Sequence, residues 1–148
     1  MYCNGVQSYR KTNITTSDPV RLVIMCYEVA IDSLRLAKEK IKEKDYEKKA
    51  KAIIRAQDVI DELLCSLDLE KGDAIASNLS SLYNYMLRRI LHGDVNRDMG
   101  AIDEVIGMLS ELLSAWQEVV SKPASHVRSA QEILDREKRV VGSRYISA

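Results

Sequence analysis

The sequence predicts an all-α protein folded as an antiparallel up-down-up-down four-helix bundle, and three observations predict it. Four stretches carry apolar residues at repeating three-and-four spacing, the pattern of a helix with one buried face. Short connections with turn or capping residues separate them, which makes consecutive helices antiparallel neighbours. No stretch alternates apolar and polar residues as a half-buried strand would, and the 148 residues include no Phe.

The first helix starts at Asp18, whose side chain can accept from a free first-turn N–H, and at Pro19, whose missing donor would be unpaired there anyway. Val23, Tyr27, Ala30, Leu34, Ala37 and Ile41 line one face as a core seam. A second stripe runs beside it through Leu22, Met25, Cys26, Val29 and Leu36. Two readings of that second stripe stand side by side: it is core shared with another neighbour, or part of it lines a groove for an amphipathic partner helix. The helix ends near Lys44, where the run from Lys38 to Asp45 loses the apolar band.

Asp45 caps the second helix, whose seam is Tyr46, Ala50, Ile53, Gln57, Ile60, Leu64 and Leu67. Gly72 and Asp73 supply the next turn and cap. The third helix carries Ile75, Leu79, Leu82, Met86 and Ile90, with Ala76, Tyr83, Leu87 and Leu91 on an adjacent stripe, and Gly93 with Asp94 is expected to close it. Ile102, Val105, Leu109, Leu112, Trp116 and Val119 define the fourth.

This periodicity divides the chain into a polar N-terminal segment over residues 1–17, a bundle over 18–121, and an extension over 122–148. Within the first segment Val6, Tyr9 and Ile14 are apolar anchors, and Val6 with Tyr9 can share one surface of a single helical turn. Beyond Pro123 the pattern thins, as in a loosely docked helix or a disordered tail.

Composition narrows the function. With 22 basic and 22 acidic side chains and a pI near 6.7, the chain has no net charge to attract nucleic acid. Residues 121–148 are mildly basic, with six Lys or Arg against three acids, which is the composition of a solvated end or of a segment that docks on an acidic surface. Three cysteines at 3, 26 and 65, an odd count without C-x-x-C spacing, fit free thiols in a reducing compartment, Cys26 and Cys65 in apolar surroundings. The N-terminus lacks a charged region followed by an apolar run, and no stretch reaches the roughly 20 apolar residues of a membrane span. A soluble cytoplasmic protein is expected.

Catalytic patterns are sparse. A bundle di-metal site needs Glu-x-x-His pairs, but the residues three before His92 and His126 are Arg89 and Pro123. No metal and no cofactor is therefore expected. Arg88 and His92 are the best acid/base pair on offer, and they define a remote alternative, a small all-helical ribonuclease. The same residues suit a helix C-terminus, where cations complement the dipole. No glycine-rich phosphate loop and no local nucleophile pair is present, which favours a binding protein over an enzyme.

The third helix also carries a resemblance. Gly72, Ala76, Asn78-Leu79, Leu82-Tyr83, Tyr85-Met86 and Arg89 resemble the G-x-x-x-A-x-N-L-x-x-L-Y-x-Y-M-x-x-R run of the flagellin-specific export chaperones, the FliS family. Tyr9, Ser17, Pro19, Leu22 and Met25-Cys26-Tyr27 are similar to its first-helix motif, and Asn96, Asp98, Val105, Leu109, Leu112 and Trp116 follow its fourth-helix pattern. Where the family has a small Gly, this chain has the branched Val29, and Asp73 replaces the usual second Gly of the turn.

The resemblance implies a cytoplasmic bundle that binds the disordered C-terminal segment of flagellin, prevents premature polymerisation and keeps it competent for the flagellar type III export apparatus, without catalysis. The groove expected for that client comprises Leu22, Met25 and Val29 on the first helix with Leu82, Tyr83, Tyr85, Met86 and Ile90 on the third. The family also places its N-terminal segment over part of the hydrophobic site, a role that would fall to Val6, Tyr9 and Ile14. A co-chaperone is a further partner to consider, and an adaptor for another export-system protein is the alternative within the binding class.

Overall fold

The computed structural model describes residues 18–68 and 74–121, and every regular element among them is helical. Helix α1 spans Pro19–Glu43, α2 Tyr46–Cys65, α3 Ala74–Asn96 and α4 Met99–Ser121. Contacts run α1 to α2, α2 to α3, α3 to α4 and α4 back to α1, so the helices form a closed ring around one core.

Local chemistry sets the ends. The Val20 N–H donates to Asp18 Oδ1 at 3.0 Å, and Pro19 occupies the first turn. Lys44 closes α1 in the left-handed region at φ 60°, its N–H donating to Ile41 O at 3.1 Å. Asp45 then caps α2, accepting from the Lys48 N–H at 3.2 Å. One residue thus turns the chain and the next restarts it.

The third boundary corrects the expectation at Gly93-Asp94. Helix α3 continues through both to Asn96, and the turn is made by Arg97 at φ 52°, whereupon Asp98 accepts from the Ala101 N–H at 3.2 Å to begin α4. Gly93 is buried inside the helix because α4 passes against it. A Cβ there would meet Ile102 Cγ1 at 2.8 Å and Asp98 O at 3.0 Å. The glycine serves close approach, not termination.

The core follows the predicted seams on α1 and α4, whereas on α2 only Ile53 and Ile60 of the predicted seam are buried, Ala50, Gln57, Leu64 and Leu67 stay part-exposed, and Ala52, Ala56, Val59 and Leu63 complete the core. Tyr27, Ala30, Leu34, Ala37, Ala56, Ile60, Ile102, Val105 and Leu109 are fully buried. On α3 it is displaced to Ala76, Tyr83, Met86 and Ile90, which leaves Leu79 and Leu82 half-buried and Leu91 54% exposed. Tyr46, expected in the α2 seam, instead lies at the turn end, where Arg97 sits 4.6 Å and Lys49 5.9 Å from its ring centre. Since Tyr46 follows the α1–α2 turn and Arg97 makes the α3–α4 turn, both turns lie at one end of the bundle.

Burial weakens toward the opposite end. No residue of α4 after Leu109 is fully buried, although Leu112, Leu113, Trp116, Val119 and Val120 are apolar. Cys26 is buried in the core. Cys65 is exposed on the last turn of α2, so it is not the buried apolar position expected for it.

Candidate protein-binding grooves

Ion pairs between helices show which side of each helix meets which neighbour. Lys38 of α1 pairs with Asp103 of α4 and so marks the α4-facing side of α1. At about 100° per residue, Val29, Met25 and Leu22 lie roughly 140° to 180° round the helix from Lys38, on the side that meets α2. All three are part-exposed. They form a part-exposed apolar strip on the α2 side of α1, a candidate groove rim.

On α3 the markers are Tyr85 and Arg89. The Tyr85 hydroxyl donates to Glu104 Oε2, and Arg89 Nε donates to Glu104 Oε1 at 2.9 Å, which places both side chains against α4. Leu82, three residues before Tyr85, shares that side. Asp94, paired with Lys49 of α2 at 2.5 Å, lies about 180° round from Tyr85. Leu82 and Tyr85 therefore lie part-exposed along the α3–α4 seam, a second candidate groove, and Met108, one turn after Glu104, is part-exposed on α4.

The eight client-binding residues expected from the sequence consequently fall into three places. Leu22, Met25 and Val29 are part-exposed on the α2 side of α1, Leu82 and Tyr85 are part-exposed on the α4 side of α3, and in a ring of four helices these are opposite sides of the bundle. Tyr83, Met86 and Ile90 are corrected to the core: they are 3%, 0% and 0% exposed and offer a partner no surface. Periodicity marks them as apolar, and only the rotation of α3 about its axis turns them inward. Val6, Tyr9 and Ile14, assigned to the N-terminal cap, lie outside the described residues.

Polar groups tune the second groove. Glu104 is held below its ordinary carboxylate range, first by the Tyr85 hydroxyl hydrogen bond and then by Arg89, and the same bond raises the Tyr85 hydroxyl above its usual value. These contacts tie the rims of α3 and α4 together. No such clasp joins α1 to α2 among the described residues, but α2 carries a buried polar group that the apolar pattern did not reveal. Glu62 of α2 is 5% exposed, and its Oε1 has no hydrogen-bond partner. Its only sequence signal is its place between Ile60 and Leu64.

The acid/base pair is a turn structure. His92 Nε2 lies 3.3 Å from Asp98 and Nδ1 lies 3.1 Å from Asn96, while Arg88 is exposed. Asp98 is lowered in pKa chiefly by the Ala101 N–H, with His92 contributing. These contacts span the α3–α4 turn and commit the imidazole to it. No group of three or more His, Cys, Asp or Glu among the described residues is placed to hold a metal ion.

A closed ring of four helices around one core, with part-exposed apolar strips on opposite sides, defines an all-helical bundle protein. The chain belongs to the FliS family of flagellar proteins, whose family model matches residues 2–123. It is 35% identical over 124 residues to the flagellar secretion chaperone FliS of Salmonella typhimurium, covering 80% of this chain and 92% of that protein. With the Bacillus subtilis chaperone of the same name it shares 28% over 117 residues, covering 79% and 86%. The Escherichia coli one matches at 27% over 125 residues, covering 81% and 92%. The chain is thus a flagellar export chaperone by family, and no helix among its described residues is long and apolar enough to cross a membrane.

Proposed function

We propose that this protein binds the C-terminal segment of flagellin in the cytoplasm, keeps it from polymerising and holds it ready for the flagellar type III export apparatus. Family membership supports the flagellar part of this reading. The carrying observation is the placement of Leu22, Met25 and Val29 on one side of the bundle and Leu82 and Tyr85 on the other. A single rigid helix covers one groove, whereas a segment without fixed structure of its own can wrap and cover both. Binding then buries the rims and orders the client as it docks, with no bond made or broken.

Energetics fit a client that has to be let go. Covering each part-exposed apolar side chain contributes up to about 1.5–3 kcal/mol, an upper bound because these residues are already half-buried. Ordering the client takes back about 2–5 kcal/mol or more. Moderate affinity results. Titrating the full chain with a flagellin C-terminal peptide of the same organism should give a one-to-one complex and a gain in helical circular dichroism. Absence of binding at micromolar concentrations would refute the proposal.

A second reading, an adaptor for another export-system partner such as a co-chaperone, is favoured by Leu91 and Val95. They are 54% and 71% exposed, one helical turn apart, and away from the α3–α4 rim that Tyr85 marks. Loss of flagellin binding in Leu91→Asp or Val95→Asp would merge this surface with the first; unchanged flagellin binding would leave it free for another partner.

A further inference from the structure

We propose that Glu62 is the polar anchor of the α1–α2 groove and that it selects a lysine or arginine in the client segment docking there. The inference rests on the reading that this groove receives flagellin. It starts from an unsatisfied atom. Glu62 is 5% exposed and Oε1 has no hydrogen-bond partner, a situation that costs free energy and that an incoming donor would relieve.

Position puts that atom in the groove. Lys49 marks where α2 meets α3 through its pair with Asp94, and Glu62 lies about 140° round from it, on the side that meets α1. Glu62 stands 17 residues after Asp45, and Tyr27 stands 17 before Lys44, so the two are level across the turn-linked antiparallel pair. Met25 and Val29 flank that level within half a turn. The carboxyl group therefore sits beside the residues that line the α1 rim.

The surroundings favour a cation over a neutral amide. Asp58, one turn before Glu62, and the adjacent Asp61 make no ion pair among the described residues, whereas the acids toward the turn end, Asp45, Asp94, Asp98, Asp103 and Glu104, are all paired. Arg55 shares this stretch of α2 and makes no ion pair with these acids. The local excess of carboxyl groups is not arranged as a metal cage. Because Glu62 lies below the rim, the donor has to reach inward on a long apolar stem, which Lys and Arg possess and Asn lacks.

The test is a double-mutant cycle by calorimetric titration. The full-length protein, Glu62→Leu and Glu62→Gln are each titrated with the flagellin C-terminal peptide and with peptides in which each Lys or Arg is replaced singly by Met. Thermal unfolding of each free variant is recorded alongside. Glu62→Leu should unfold at or above the wild-type temperature while binding about tenfold more weakly, the scale of one charge-assisted hydrogen bond. One peptide replacement should weaken wild-type binding by a similar factor and have no further effect on Glu62→Leu.

Equal binding of wild type and Glu62→Leu overturns the anchor and leaves the flagellin reading standing. Weakened binding that couples to none of the peptide cations also overturns it, since Glu62 would then act through the fold. Where Glu62→Leu does not fold, the same cycle on the isosteric Glu62→Gln decides. If the wild-type protein fails to bind the peptide at all, the proposed function falls and the anchor with it.

Discussion

The hydroxyls of Tyr27 and Tyr83 lie 2.6 Å apart in the core, joining α1 to α3 across the bundle, with the two residues 0% and 3% exposed. Ring neighbours share apolar seams and ion pairs such as Lys38–Asp103 and Lys49–Asp94, and this diagonal pair adds a directional bond inside the core. Such a bond sets how far each helix is rotated about its axis, because only one rotation of α1 and one of α3 bring the two hydroxyls together. It accounts for Tyr83 being core and for Leu82 being left at the rim.

Replacing either tyrosine by phenylalanine should cost about 1 kcal/mol or more of unfolding free energy, since one side of a buried hydrogen bond is removed while the ring still fills its space. The double replacement should cost less than the sum of the two singles. Urea unfolding of the four proteins measures the coupling, and strict additivity would show that the bond carries none.

Gly93 and Gly107 should respond to alanine with opposite signs. Gly93→Ala should destabilise by about 1–3 kcal/mol despite alanine's helix preference, because its Cβ would press on Ile102 at 2.8 Å and on the Asp98 carbonyl. Gly107→Ala, on the exposed side of α4 with nothing within 4 Å, should stabilise by up to about 1 kcal/mol. Chemical denaturation of both variants checks the pair.

Stability should depend on pH through Glu104. Its folded pKa is below its ordinary value of 4.5, so its contribution is complete above about that pH and is lost as pH falls through the lowered value. Tyr85→Phe removes the main cause of the lowering. The variant should melt below the wild type at neutral pH, and the gap should close as the pH is taken well below 4.5. A gap that persists unchanged in acid would assign the loss to packing instead.

Groove and core separate by substitution. Leu22→Asp and Met25→Asp should keep a cooperative thermal transition and bind the flagellin peptide at least about tenfold more weakly, since each places a charge on a part-exposed rim. Met86→Asp should abolish the transition, because its side chain is 0% exposed in the centre of the core. Loss of the transition in the Leu22 or Met25 variant would move that residue into the core.

Much of this architecture is legible in local sequence. Asp18 with Pro19, Asp45 and the charged run before it place helix ends to within a residue, because capping and turn chemistry involve only neighbours a few positions apart. The α1 seam through Tyr27, Ala30, Leu34 and Ala37 follows from three-and-four spacing, and the family follows from ordered short motifs. Gly93 was legible as a special backbone position but not as an approach site, since what excludes a Cβ there is Ile102 of the next helix.

Sequence by itself therefore determined four antiparallel helices, their main seams and the family to which they belong. Tertiary structure alone decided that Tyr83, Met86 and Ile90 face inward, that Leu22 and Leu82 border opposite grooves, and that Glu62 is buried beside the first of them. The reason is geometric. Spacing along a chain gives angles between residues of one helix, but the rotation of each helix relative to its neighbours depends on long-range contacts such as the Tyr27–Tyr83, Lys38–Asp103 and Lys49–Asp94 pairs, and these are specified only when the whole bundle closes.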